Sequence, residues 1–277
     1  MHDSQKGFRA ELIAGTRIFS AGLVFLPFAF FHFSKIPRRK LGLVILSAVT
    51  GNLLPAFLFA EAVTKIDSSL AGILNSLTPI CVVVIGILFF RAKIKSRKIE
   101  GVLTGFLGLV LLTIFPLLIE NRSISLHNLS YTLLIILATL LYGVNVNMVG
   151  HFLKGLNPIH IATVSLSFMK LPAGLVLWQK GFLQLDFGNA DVQHAVIASV
   201  LLGIAGTAIA TALFYILVQR AGGLFASLVT YGIPFIALFW GFMDGENITW
   251  IEITCLGIIL FGVYMANRPE KMGENPV

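Results

Sequence analysis

Charge is what this chain is short of. Asp, Glu, Lys and Arg make up 12% of its 277 residues against 57% hydrophobic, and the mean hydropathy is +0.90. Soluble domains carry about 25% charged residues, so these few cannot cover an aqueous surface, and lipid is the solvent that suits the chain. Cysteine is scarcer still. Cys81 and Cys255 both fall inside apolar runs, which argues against a disulfide framework and leaves each as a small packing residue. The phosphate-cradling pattern GxxxxGK[ST] is absent, so ATP-driven work within this chain is not expected. No Ser/His/Asp set or exposed pair of carboxylates suggests an enzyme. No cofactor is expected either: His151 and His160 flank one turn, and two histidines without a third ligand make a poor metal site. The net charge of +7 sits in short clusters between apolar runs rather than along one face, which argues against nucleic acid as a partner.

What is abundant is apolar sequence in long runs. A membrane-spanning helix needs about 20 mostly apolar residues. Nine stretches approach that: 17–33, 41–65, 69–90, 99–119, 129–152, 158–178, 192–218, 225–243 and 250–266. The connectors leave no room for a soluble domain. The longest, 179–191, holds Gly181, Gly188 and Asn189 and reads as an exposed loop. The first run follows Lys6, Arg9 and Arg17 and could pass for a signal peptide. It lacks a small-residue cleavage site and is followed by another span, so it reads as a retained helix.

Lys and Arg are retained on the cytoplasmic side of a membrane. One alternating set of connectors holds Lys35, Arg38, Arg39 and Lys40, then Arg91, Lys93, Lys95, Arg97 and Lys98, then Lys154, Arg220, Arg268 and Lys271. The other set holds Lys6, Arg9, Lys65, Arg122 and Lys180 among Asp67, Glu120, Asp186, Asp191, Asp244 and Glu246. The first set is therefore expected inside, with the C-terminus, and nine spans put the N-terminus outside. The expected location is the inner or plasma membrane. The N-x-S/T triplets at Asn121, Asn128 and Asn247 fall on or beside outer loops and are assigned no role. The run RAKIKSRK is a solvated topology determinant first and a contact for anionic membrane lipids second.

Two stretches echo one another. SLAGILNSLTP, from Ser69 to Pro79, and LFASLVTYGIP, from Leu224 to Pro234, each open an apolar run. Superposing Pro79 on Pro234 also superposes Ala71 on Ala226, Leu74 on Val229 and Gly86 on Gly241. Small residues let helix backbones approach, and proline is tolerated where neighbours re-satisfy the freed carbonyl, so the pattern predicts a duplicated helix at a packing seam. Gly101 and Gly105 form a GxxxG of the same packing kind. The spans divide into a unit over 1–119 with four helices, a unit over 129–266 with five, and a cytoplasmic tail over 267–277. Five spans per unit would set the second unit upside down on the first. The first unit lacks its opening helix, and Met1 to Glu11 is too short and polar to supply one; the expectation is a misassigned start or a fragment.

GNLLPAFLFAEAVTKIDSSLAGILNSLTPICVVVIGILFF and GVLTGFLGLVLL resemble the EamA branch of the drug/metabolite transporter superfamily. Ala62, Thr64 and 69–79 match one phrase of that family, and 224–234 matches it again. Glu246 matches the family's glutamate before the last helix, where the first half has Arg91 and Lys93; Ile99-Glu100 echoes Ile251-Glu252. The resemblance implies an all-α integral membrane fold, an inverted repeat of five-helix units with ten helices in the family and nine here. It also implies transport of small metabolites such as amino acids, as exporter or permease.

Polar residues inside spans are costly and often mark a pathway. Lys170 is too deep to reach the interface easily, so it either anchors an anionic group beside Pro172 or hydrogen-bonds freed carbonyls. Glu61 is a proton-coupling candidate or simply a partner of Lys65 one turn on. Asn52, Asn75, Asn145 and Asn147 line a cavity or bond helix to helix, and Asn75 is the preferred cavity residue. Tyr142 and Tyr231 offer hydroxyls to a substrate or pack. Ala71, Pro79, Ala226 and Pro234 are packing residues. The expected function is a secondary-active carrier with a small-molecule substrate, homodimerisation being left open. The rival is a non-transporting membrane scaffold or a lipid-interacting assembly partner.

Overall fold

The computed structural model describes residues 10–66, 68–119, 129–243 and 249–268, and all regular structure among them is helical. Asn121, Asn128, Asn247, Glu246 and Lys271 lie outside the described residues. The first half comprises α1 (Ala10–Phe33), α2 (Arg38–Ala48), a π-helical segment (Val49–Leu53), α3 (Leu54–Ala62), α4 (Ser68–Asn75), α5 (Thr78–Phe90) and α6 (Ser96–Ile119). The second comprises α7 (Leu129–His151), α8 (Pro158–Gln179), α9 (Ala190–Gly203), a π segment (Ile204–Ile209) and α10 (Ala210–Ala221). It continues through α11 (Gly223–Ser227), a 3-10 segment (Leu228–Gly232), α12 (Ile233–Met243) and α13 (Trp250–Asn267).

Eight described helices are long and apolar enough to span a membrane. The ninth expected stretch, 225–243, is helical throughout as α11, the 3-10 segment and α12, and Gly223–Ile236 within it is a shorter apolar helix. The first helix also differs from expectation. It is already helical at Ala10, the first described residue, rather than from Arg17, and Leu12, Ala14 and Ile18 are buried along it. Arg17 therefore lies inside a span.

Local chemistry sets several helix ends. The Asn157 side chain accepts from the Ile159 amide with Pro158 at the first turn, and Asn189 accepts from the Asp191 amide. Thr249 and Glu252 form a capping box at the start of α13. Gly222, at φ 92°, supplies the left-handed turn that separates α10 from α11, a conformation a side chain would oppose. Phe30, Phe31, Leu88 and Phe89 stand largely exposed, as lipid-facing residues do.

Close helix contacts run through small residues. Along α1, Gly15 backs onto Leu177 and Ala173, while Gly22 backs onto Leu166 and Lys170, so α1 and α8 run antiparallel. Gly101 and Gly105 of α6 meet Gly262 of α13, again antiparallel; a Cβ at Gly101 would stand 2.7 Å from the Gly262 carbonyl oxygen. Dispersion drives such contacts in lipid, and only glycine lets the backbones come this near.

The superposition of Pro79 on Pro234 continues upstream without a gap and sets Gly51 on Gly206 and Asn52 on Thr207, inside the two π segments. Each segment is followed by a helix, a tight turn, and a helix broken ahead of its proline. The first break falls at Ser76–Leu77 and the second is the 3-10 segment Leu228–Gly232. Pro79 sits in the first turn of α5, where a missing N–H costs no helical hydrogen bond. Hydroxyls take up carbonyls around the breaks: Thr78 donates to the Asn75 oxygen at 2.7 Å and Thr230 to the Ser227 oxygen at 2.9 Å. Ala71 and Ala226 are buried in separate clusters, with Ile135 and with Val146 respectively.

Candidate functional site

A cavity of about 500 Å³ lies where the breaks and π segments converge. Asn52 comes from the first π segment, Asn75 and Thr78 from the first break, and Ser227 and Thr230 from the second. Across from them α7 contributes Tyr142 and Asn145 and α10 contributes Thr211 and Tyr215. A break or π bulge puts side chains and backbone carbonyls where a regular helix would present only apolar surface, which sets polar groups into an otherwise largely apolar cavity.

Several of its polar groups hold one another. The Asn145 amide donates to the Ser47 carbonyl oxygen at 2.5 Å and to the Tyr215 hydroxyl at 3.4 Å. The Thr211 hydroxyl donates to Asn52 Oδ1 at 3.0 Å. Arg17 enters the same cavity, half-buried, its Nε donating to Thr207 Oγ1 at 2.7 Å. The structure thus brings together Asn52, Asn75 and Asn145, with Tyr142 beside them. It adds Arg17, Thr211 and Tyr215, which sequence reasoning passed over. For Arg17 the available signal was Leu12, Ile13 and Ala14 just upstream, apolar residues that carry the helix back past it.

Other predicted residues lie elsewhere. Tyr231, 1% exposed, donates its hydroxyl to the Val102 carbonyl at 3.0 Å against the α6–α13 seam. Lys170 lies on the α1–α8 seam beside Gly22, and Glu61 sits half-buried near the end of α3; neither lines the central cavity. His160 stacks on His32 with ring centroids 4.6 Å apart, and His151 meets Phe90 edge-on. No cluster of three metal-ligating side chains occurs among the described residues.

A second cavity of about 630 Å³ opens at the end of the bundle that carries most of the basic residues. Arg91, Lys98, Lys154 and Arg268 line it with Asn147 and Gln219. Val146 borders both cavities, and it packs with Tyr215, Val218 and Ala226 in a buried cluster. Tyr215 of that cluster lines the central cavity and Val218 the second one.

The profile of the EamA-like transporter family matches residues 4–114 and 129–268. The chain belongs to this family. It is 23% identical over 204 residues to an uncharacterized transporter of Archaeoglobus fulgidus, a match covering 73% of this chain and 69% of that one. It is 22% identical over 267 residues to a WAT1-related chloroplastic protein of Arabidopsis thaliana, covering 93% of this chain and 63% of that protein, under two thirds of its length. A solved crystal structure superposes with a TM-score of 0.71 at 17% identity, covering 96% of this chain and 91% of the other, which supports the fold alone. EamA membership makes the chain a multi-pass integral membrane protein of a transport family, one that is generally non-enzymatic.

Proposed function

We propose that this EamA-family chain is a secondary-active carrier of small metabolites, amino acids among them, working by alternating access in the inner or plasma membrane. The observation that carries the reading is the central cavity: both broken helices and the α7 amide of Asn145 meet in one space among the spans, where polar groups interrupt a largely apolar lining. Discontinuous helices around such a space expose carbonyls and amide groups that can hold cargo. A scaffold without cargo has no need of that costly arrangement.

The units over 1–119 and 129–266 read as an inverted repeat, with 267–277 as a tail. The antiparallel run of α1 against α8 and of α6 against α13 supports this, since simple translation would leave equivalent helices parallel. Leu26-Pro27 in α1 and Leu171-Pro172 in α8 strengthen the equivalence. Rocking one unit on the other would open the central cavity to one side and then the other. The basic end is read as cytoplasmic, which makes the second cavity an inward vestibule that meets the central one at the Val146 cluster. Asn52, Asn75 and Asn145 contact cargo in this reading, and Glu61 exchanges a proton with the outer side. The test is uptake of a metabolite mixture by proteoliposomes containing the full chain, with and without a pH gradient. Saturable uptake is expected; none, against a working control carrier, returns the scaffold reading.

A further inference from the structure

Among the described residues that line the central cavity one is charged, and it is a cation. Arg17 stands among asparagines, threonines, tyrosines and apolar side chains, with no Asp or Glu in that lining. It forms no ion pair with any described residue. It lies well inside a candidate span rather than at its described ends: Ala10, the first described residue, is roughly 10 Å of helix to one side and Phe33 roughly 24 Å to the other. A guanidinium at such depth is expensive and stays charged, so it needs a counter-charge or a wet space.

The fold builds a mount for it. Gly203 is buried against the Arg17 carbonyl and the Ser20 hydroxyl, so α9 reaches α1 with no side chain between them. The π segment follows directly, and its bulge turns Thr207 toward α1, where the buried hydroxyl accepts a hydrogen bond from Nε–H at 2.7 Å. That contact uses one of five N–H donors and leaves four on the two Nη groups, the paired edge that grips a carboxylate or phosphate two-handed. The second cavity repeats the sign, with Arg91, Lys98, Lys154 and Arg268 and no carboxylate among its described lining. Like charge in both spaces raises the local concentration of anions and lowers that of cations.

We infer that Arg17 is the anion-binding residue of the central cavity, and that the cargo is a small organic anion held there by a carboxylate or phosphate group. This rests on the carrier reading for its biological use, but binding can be measured without transport. Purified full chain in detergent is titrated calorimetrically at constant ionic strength with sodium benzoate, with inorganic phosphate and with choline chloride, the first two separating carboxylate from phosphate chemistry. At least one anion is expected to bind and choline is not. Arg17→Gln should weaken that binding at least about tenfold, while Arg17→Lys, which keeps the charge but loses the fork, should weaken it less. Arg17→Lys also carries the test if Arg17→Gln elutes as aggregate, since unchanged benzoate-to-phosphate preference and affinity in it would overturn the assignment. Binding of choline alone, binding of neither anion, or undiminished anion binding by a monodisperse Arg17→Gln protein overturns the proposal. Anion binding without uptake in proteoliposomes would instead remove the carrier reading and leave the site.

Discussion

The side-chain nitrogen of Asn145, on α7, lies 2.5 Å from the carbonyl oxygen of Ser47, on α2, two residues before the first π segment. The pair joins the two halves of the chain at the wall of the central cavity. Close approach makes it possible, since a Cβ at Gly51 would stand 2.6 Å from the Asn145 amide.

Asn145→Leu removes the donor and leaves the Ser47 carbonyl with the Tyr215 hydroxyl at 3.4 Å. A buried acceptor left short costs about 1–3 kcal/mol in water-soluble proteins, whereas interhelical hydrogen bonds in membranes average about 0.6 kcal/mol. The second value governs within the bilayer, so about 1 kcal/mol is the expected loss, too little to prevent folding. Uptake should fall much further than stability, because the amide also faces the cavity. Thermal unfolding in detergent and uptake on the same preparation check this; parallel losses would make Asn145 a purely structural tie.

The α6–α13 seam makes a sharper structural prediction. Gly101→Leu drives a side chain into the Gly262 backbone, which cannot move aside as a flexible side chain could. Overpacking costs typically about 1–3 kcal/mol, and backbone obstruction puts this variant at the upper end. Gly72→Ala, where nothing lies within 4 Å, is the matched control and should be neutral. Size-exclusion profiles of fluorescent fusions distinguish them: an aggregated Gly101→Leu protein beside a monodisperse Gly72→Ala protein is expected.

The seams and breaks were legible because membranes restrict the residues that can form them. Gly101, Gly105, Pro79 and Pro234 carry their meaning in their chemistry, so their spacing announced where helices approach or restart. The π segments carried no such mark. Val49–Leu53 and Ile204–Ile209 differ from α-helix by a hydrogen-bond shift that no residue type demands, so the convergence of Asn52 with Thr211 was out of reach. Arg17 was hidden for a related reason. Charges usually end spans, and a cation seven positions beyond Ala10 was read as a flank. Which tyrosine faced the cavity depended on helix rotation; Tyr231 and Tyr215 are both buried, and only Tyr215 lines it.

Lys170 and Tyr231 lie away from the central cavity, and their variants should part company. Lys170→Ala is expected to abolish uptake with membrane insertion intact, because its side chain sits at the α1–α8 crossing beside Gly22, where one unit would slide on the other. Tyr231→Phe loses only the bond to the Val102 carbonyl, about 1 kcal/mol of stability, and should leave the substrate concentration for half-maximal uptake unchanged. Normal uptake by Lys170→Ala would detach that lysine from the transport cycle, and a shifted half-saturation in Tyr231→Phe would bring the tyrosine into the pathway.

Orientation remains the premise of the inward vestibule and can be read chemically. With Cys81 and Cys255 replaced by alanine, Arg91→Cys and Lys180→Cys place single thiols at opposite ends of the bundle, after α5 and after α8. The retention of basic residues on the cytoplasmic side predicts that a membrane-impermeant maleimide labels Lys180→Cys on intact spheroplasts and Arg91→Cys only after lysis. Lys180 pairs with Glu11 at 2.6 Å, but it is 41% exposed, so the pair is weak and the thiol accessible. The reverse labelling pattern would turn the molecule over. The cavity lined by Arg91, Lys98, Lys154 and Arg268 would then gather anions from outside rather than from the cytoplasm, and the carrier would be read as an importer.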